Sequence, residues 1–168
     1  MTKKIIGLSL LLAIGLMASD KDRVLVKQAK EFGFTNCITM TKKLENFLAK
    51  NDNYGVWTIT SKKKTKNEFF TATMELTYND GSELIDLTII PNNIDKTCSF
   101  TYTKTWYSNK NCIATSRDLK DFEFEAELNK NISAFSNKNG IKLFLLPVGN
   151  GCMVQKKEVS FSFDNQDK

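Results

Sequence analysis

The sequence predicts an α+β fold: an N-terminal amphipathic helix packed on a curved antiparallel sheet of about seven to eight strands, with a twofold repeat of β-meanders as one reading of the sheet. Three observations carry this. Cys37, Met40, Thr41, Leu44, Phe47 and Leu48 recur at three- and four-residue steps, the spacing of one helix face. From Gly55 onward the apolar period changes to two, broken by turn sequences such as Asn79-Asp80-Gly81 and Asn139-Gly140. Twice, an apolar run ending in proline (Pro91, Pro147) is followed by a cysteine (Cys98, Cys152) that opens a long strand.

In chain order, residues 1–19 read as a secretory signal peptide. Lys3 and Lys4 precede an apolar run from Ile5 to Leu16, and Ala18 and Ser19 are small residues suited to cleavage. The run is short for a membrane-spanning helix, so no stable membrane insertion is expected after cleavage. Residues 20–168 are then expected to form a single disulfide-bonded α+β domain, exported to a bacterial periplasm or the extracellular space. The chain carries 24 Lys and Arg against 19 Asp and Glu, a formal charge of +5 that includes the two leader lysines. Charge this mild and this dispersed does not call for nucleic acid or an anionic membrane as partner.

Gly33 separates an early helical segment at residues 24–32 from the main helix, and Asn51-Asp52-Asn53-Tyr54-Gly55 ends the latter. Lys42, Lys43, Glu45 and Lys50 fall mostly off the apolar stripe, which reads as core-facing. Strands are expected at residues 55–61, 69–78 and 84–90, the last apolar enough to be buried on both faces near its end. The lysine-rich stretch 62–67 reads as a solvated hairpin tip. Between Cys98 and Tyr107 alternation is unbroken. Cys98, Phe100, Tyr102, Lys104 and Trp106 share one face, and Ser99, Thr101, Thr103, Thr105 and Tyr107 the other. Residues 121–128 alternate Phe122, Phe124, Ala126 and Leu128 with Asp121, Glu123, Glu125 and Glu127. This acidic ladder is expected to pair with lysines across strands rather than hold calcium, whose ligands come from turning loops. Strands at 141–146 and 152–163 complete the second meander. In the last strand Cys152 is in phase with Val154, Lys156, Glu158 and Ser160, whereas Val159, Phe161 and Phe163 take the opposite phase. A bulge near 155–157 would reset the alternation; otherwise the resemblance of the halves is convergence of hairpin sequences.

The cysteines Cys37, Cys98, Cys112 and Cys152 are even in number and read as two disulfides. Without a Cys-x-x-Cys or any His, no metal site is expected. An extended strand would set Cys98 about 30 Å from the turn preceding Cys112, so these two are not expected to bond. If the strands opened by Cys98 and Cys152 run the same way, both cysteines reach one edge of the sheet. Cys98–Cys152 with Cys37–Cys112 is then the preferred pairing, and Cys37–Cys98 with Cys112–Cys152 the alternative.

The lack of His also removes Ser-His, Cys-His and His-metal chemistry, and no glycine-rich phosphate loop is present. No cofactor and no catalytic residue is expected. Function is read as a non-catalytic binding protein, an inhibitor or immunity-type partner of another exported protein. The alternative is a carrier holding an apolar small molecule between helix and sheet, with Trp57, Phe100, Tyr102 and Trp106 as its lining and Phe122 and Phe124 nearby. A histidine-free secreted hydrolase or effector is the third reading.

Overall fold

The computed structural model describes residues 23–50, 53–59 and 68–164, with side chains described up to residue 160. The expected leader at 1–19 and the lysine-rich stretch 62–67 lie outside the described residues. The N-terminal apolar stripe divides into two helices, α1 (Val24–Glu31) and α2 (Ile38–Leu48). Gly33 makes the break: at φ 74° it takes the left-handed conformation that ends helices, while the Phe34 N–H returns to the Ala29 carbonyl.

Among the described residues eight strands follow, interrupted once by a short helix: β1 (Tyr54–Ile59), β2 (Phe70–Tyr78), β3 (Gly81–Pro91), β4 (Thr97–Ser108), α3 (Cys112–Arg117), β5 (Glu123–Glu127), β6 (Ser133–Ser136), β7 (Lys142–Val148) and β8 (Gly151–Asp164). All belong to one antiparallel sheet in the order β1-β2-β3-β4-β8-β7-β6-β5. Each half is a meander of sequential hairpins, and the halves join through their last strands. Among the described residues no helix is long and apolar enough to cross a membrane.

This order corrects the expected disulfides. β8 lies against β4 and runs antiparallel to it, placing Cys152 opposite Ser108 and leaving Cys98 at the far end, opposite Phe163. The preferred Cys98–Cys152 pairing required the two strands to run the same way. The bonds are those of the alternative pairing, Cys37–Cys98 and Cys112–Cys152, with Cα separations of 6.0 and 4.9 Å.

Two other expectations change. Ile90 is exposed rather than buried, because no described element covers its face of β3. The alternation at 121–128 does not yield a buried stripe: β5 is an edge strand exposed throughout, with a register shift between Phe124 and Ala126. A phase reset does occur along β8, but nearer its end than residues 155–157. Phe100 pairs with Ser160 while Cys98 pairs with Phe163, so β8 carries one extra residue between those two pairs.

Two buried clusters lie on the helix side of the sheet. The larger joins Leu25, Ala29, Phe34, Met40 and Leu44 of the N-terminal helical segment to Phe70, Met74, Leu87, Ile89 and Tyr102. The smaller joins Phe135, Leu143, Leu145, Cys152 and Val154, with Trp106, Cys112, Leu119 and Phe122 packed against it. Each contains one disulfide partner on a strand and receives a helix at its cysteine, Cys37 before α2 and Cys112 at the start of α3.

Candidate functional site

Strand register sorts the side chains onto two faces, since neighbours across a ladder point the same way. The helix-side face carries Met74, Ile85, Lys104 and Lys156 in one transverse row, and Leu76, Glu83 and Trp106 beyond it. The opposite face is not covered by any described element. One of its rows runs Ile59, Thr71, Thr88, Thr101 and Val159; the next runs Trp57, Thr73, Asp86, Thr103, Lys157 and Lys142; a third runs Glu75, Leu84, Thr105, Gln155 and Phe144.

Large apolar side chains stand in water on this face. Trp57 is 75% exposed and Ile59 58%, Val159 is 55% exposed, and Leu84, Ile90 and Tyr107 are also open to solvent. Threonines, β-branched and stiff, fill much of the middle of the face, with Asp86 and Lys157 as the charged groups among them. The Thr71 and Thr73 hydroxyls are held, the first donating to the Leu87 carbonyl at 3.0 Å and the second to Asp86 Oδ1 at 2.7 Å. The arrangement offers a broad, preorganised contact surface with apolar anchors.

On the helix side, the junction of β4 and β8 carries charge between the two apolar clusters. Lys104 pairs with Glu83, and Lys156 lies 3.6 Å from Glu158 and 5.6 Å from the centre of the Tyr102 ring. The Tyr102 hydroxyl donates to Glu158 Oε2 at 2.7 Å. Burial first, and then the Glu158 carboxylate beside it, hold the Tyr102 phenol well above its usual value. It remains a protonated donor at physiological pH, and each lysine has a carboxylate of opposite charge, so the seam closes on itself as a structural network.

A polar cavity of about 710 Å³ lies at the far edge, lined by Lys120, Asp121, Glu123, Ser136, Asn137, Lys138 and Asn139. Asn137 Oδ1 already accepts from the Asn139 and Ile141 backbone N–H groups. Nearby, Lys142 of β7 donates to Glu125 of β5 across the intervening β6, and this bond holds the Glu125 carboxyl below its usual value.

The chain matches no protein-family model, no curated protein and no solved structure. Its chemistry is therefore read from its own residues.

The four aromatic positions proposed from sequence as a ligand lining do not meet around one space. Phe100 and Tyr102 belong to the larger cluster, where Phe47 of α2 packs edge-on to Tyr102 with ring centres 6.4 Å apart. Trp106 packs against the smaller cluster, and Trp57 points from the opposite face. Phe122 and Phe124 also separate, the first into the smaller cluster and the second exposed against Phe135. The uncovered face itself was missed as a surface. Its signal was the out-of-phase set Thr101, Thr103 and Thr105, which gains meaning only once strand order places Thr71, Thr73 and Thr88 beside it.

Proposed function

We propose that this chain is a non-catalytic, exported binding protein that recognises another protein, of the inhibitor or immunity type, through the uncovered face of its sheet. The observation that carries the reading is Trp57, a large aromatic side chain left 75% exposed beside Ile59, with Leu84, Ile90 and Val159 exposed elsewhere on the same uncovered face. Exposed apolar side chains rimmed by polar ones mark interaction sites, and aromatic side chains dominate binding energy at interfaces. Two disulfides fit an oxidising compartment outside the cytoplasm.

The test is affinity capture from periplasmic or culture extract with the disulfide-intact protein and its Trp57→Asp and Ile90→Asp variants, each checked for folding by circular dichroism. A protein captured by the parent and lost by both variants supports the reading. One captured equally by all three places the contact elsewhere and overturns it.

We further read the two meanders as a twofold repeat. Pro91 stands opposite Cys98 across the β3–β4 hairpin, and Pro147 stands opposite Cys152 across the β7–β8 hairpin. In each half the disulfide runs from the start of a helix to the start of the fourth strand. Shared turn chemistry explains similar hairpins, but it does not require the same crosslink at the same place. The N-terminal helical segment and α3 then act as equivalent covers, each closing the core of its own meander.

A further inference from the structure

We propose that the free protein associates with a second copy of itself, sheet against sheet, through the uncovered face. The inference rests on reading that face as the binding surface, and it names what covers the surface when the other partner is absent.

The argument comes from the register. β3 and β7 lie at equal strand counts on either side of the β4–β8 junction. A twofold axis parallel to the strands and passing over that junction exchanges left and right while keeping each transverse row at its own level. In one row, Asp86 of each copy then faces Lys142 of the other; in the next, Leu84 faces Phe144. The β4 and β8 positions between them bring Thr101 against Val159, Thr103 against Lys157 and Thr105 against Gln155. Opposite charges meet twice per dimer, Leu84 meets Phe144, and no like charges face one another in these rows.

Packed sheets with aligned strands lie about 10 Å apart, a gap that an aspartate and an extended lysine bridge together. Asp86 is exposed apart from its Thr73 hydrogen bond, and the Lys142 ammonium retains donors beyond the one given to Glu125. The same pairing would cover Leu84 and Val159, which are open to water in the single chain. Because both contacts use one face, self-association and capture of another protein are mutually exclusive.

The test is sedimentation equilibrium of the disulfide-intact protein and its Asp86→Lys, Lys142→Asp and doubly exchanged variants, each checked by thermal melting. A reversible monomer–dimer equilibrium is expected. Each single exchange should weaken it by about tenfold or more, the scale of opposed charges at an interface, and the double exchange should restore most of the loss. Leu84→Asp should weaken the dimer without touching the charge pair. A chain that stays monomeric up to about 0.1 mM overturns the proposal, as does a dimer indifferent to both single exchanges. A monomer that still captures a partner through Trp57 overturns self-association alone and leaves the binding-face reading standing.

Discussion

Glu45 shows how one side chain can organise its surroundings. It is a carboxylate with 0% exposure, set on α2 between Leu44 and the last helical turn. It accepts from the Leu25 and Val26 backbone N–H groups at 2.6 and 3.1 Å and from the Tyr54 hydroxyl at 2.7 Å. The first turn of α1 has no side-chain cap of its own, so a carboxylate from α2 supplies the acceptor that the turn needs. Arg23 lies 5.0 Å from the Tyr54 ring centre and donates to the Ala49 carbonyl, closing the same corner. Glu45→Ala is expected to cost about 1–3 kcal/mol for each buried donor left unpaired, and Glu45→Gln, which keeps an acceptor oxygen, less. Urea denaturation of both variants checks the order, and equal stability of Glu45→Ala and parent would contradict it. Periodicity set this residue off the apolar stripe, because its burial depends on another helix arriving with free N–H groups. Tyr102 gives a second residue-scale prediction. Burial and Glu158 raise its phenol above the ordinary value of 10.0, so the folded state holds a proton that the unfolded chain releases. Its contribution is complete below about pH 10 and is lost as pH rises toward the folded value. Tyr102→Phe should make stability fall less steeply above about pH 10, and an unchanged alkaline slope in denaturant titrations would refute this. Some slope should persist, since Tyr54 is also raised, by burial and by Glu45.

Gly151 sets the approach of elements where β8 begins. A Cβ built there would lie 2.5 Å from the Ser108 backbone oxygen and closer still to the Tyr107 ring and hydroxyl. The aromatic ring of β4 thus lies directly over the glycine of β8, beside the Ser108–Cys152 pair and the Cys112–Cys152 bond. Gly151→Ala is expected to destabilise by about 1–3 kcal/mol through overpacking. Tyr107→Ala in the same chain should recover only part of the loss, because the backbone oxygen remains. Thermal melts of the single and double variants measure both effects, and full recovery would show that the ring alone sets the limit. Elements differed in how far sequence could reveal them. β4 was readable because its alternation is long and unbroken. β6 was not, since its four residues offer only Ala134 and Phe135 as apolar positions, side by side and without a period. β5 displayed alternation yet buried nothing, because an alternating strand gains a buried face only where something covers it.

At the scale of the whole molecule, the α+β class and the run of hairpins followed from periodicity, whereas the joining of the halves did not. Adjacent sequence suggests β5 beside β4; the structure instead pairs β4, of 12 residues, with β8, of 14, and leaves five-residue β5 at the outer edge. Pairing the longest strands satisfies the most backbone groups, and it puts the most strongly charged strand where solvent reaches its side chains. The preferred disulfide pairing failed for this reason and the alternative one is observed, and the four proposed lining aromatics are dispersed, since both depend on which strands are neighbours. The same order makes β4–β8 the bond between two separate buried clusters, bridged on the helix side by the charged network of Glu83, Lys104, Lys156 and Glu158. Resistance to local opening should therefore fall outward from the centre. Native-state hydrogen exchange is expected to show the slowest amides in the paired middle of β4 and β8, around Tyr102–Glu158 and Trp106–Val154, and the fastest strand amides in β5. β1, also an edge, should exchange more slowly than β5, because Tyr54 and Val56 pack against the larger cluster and Gln28 donates to the Val56 carbonyl at 3.2 Å. If β5 instead exchanges together with β4 and β8, the second meander opens only with global unfolding, and the junction is not the stable centre that the strand order implies.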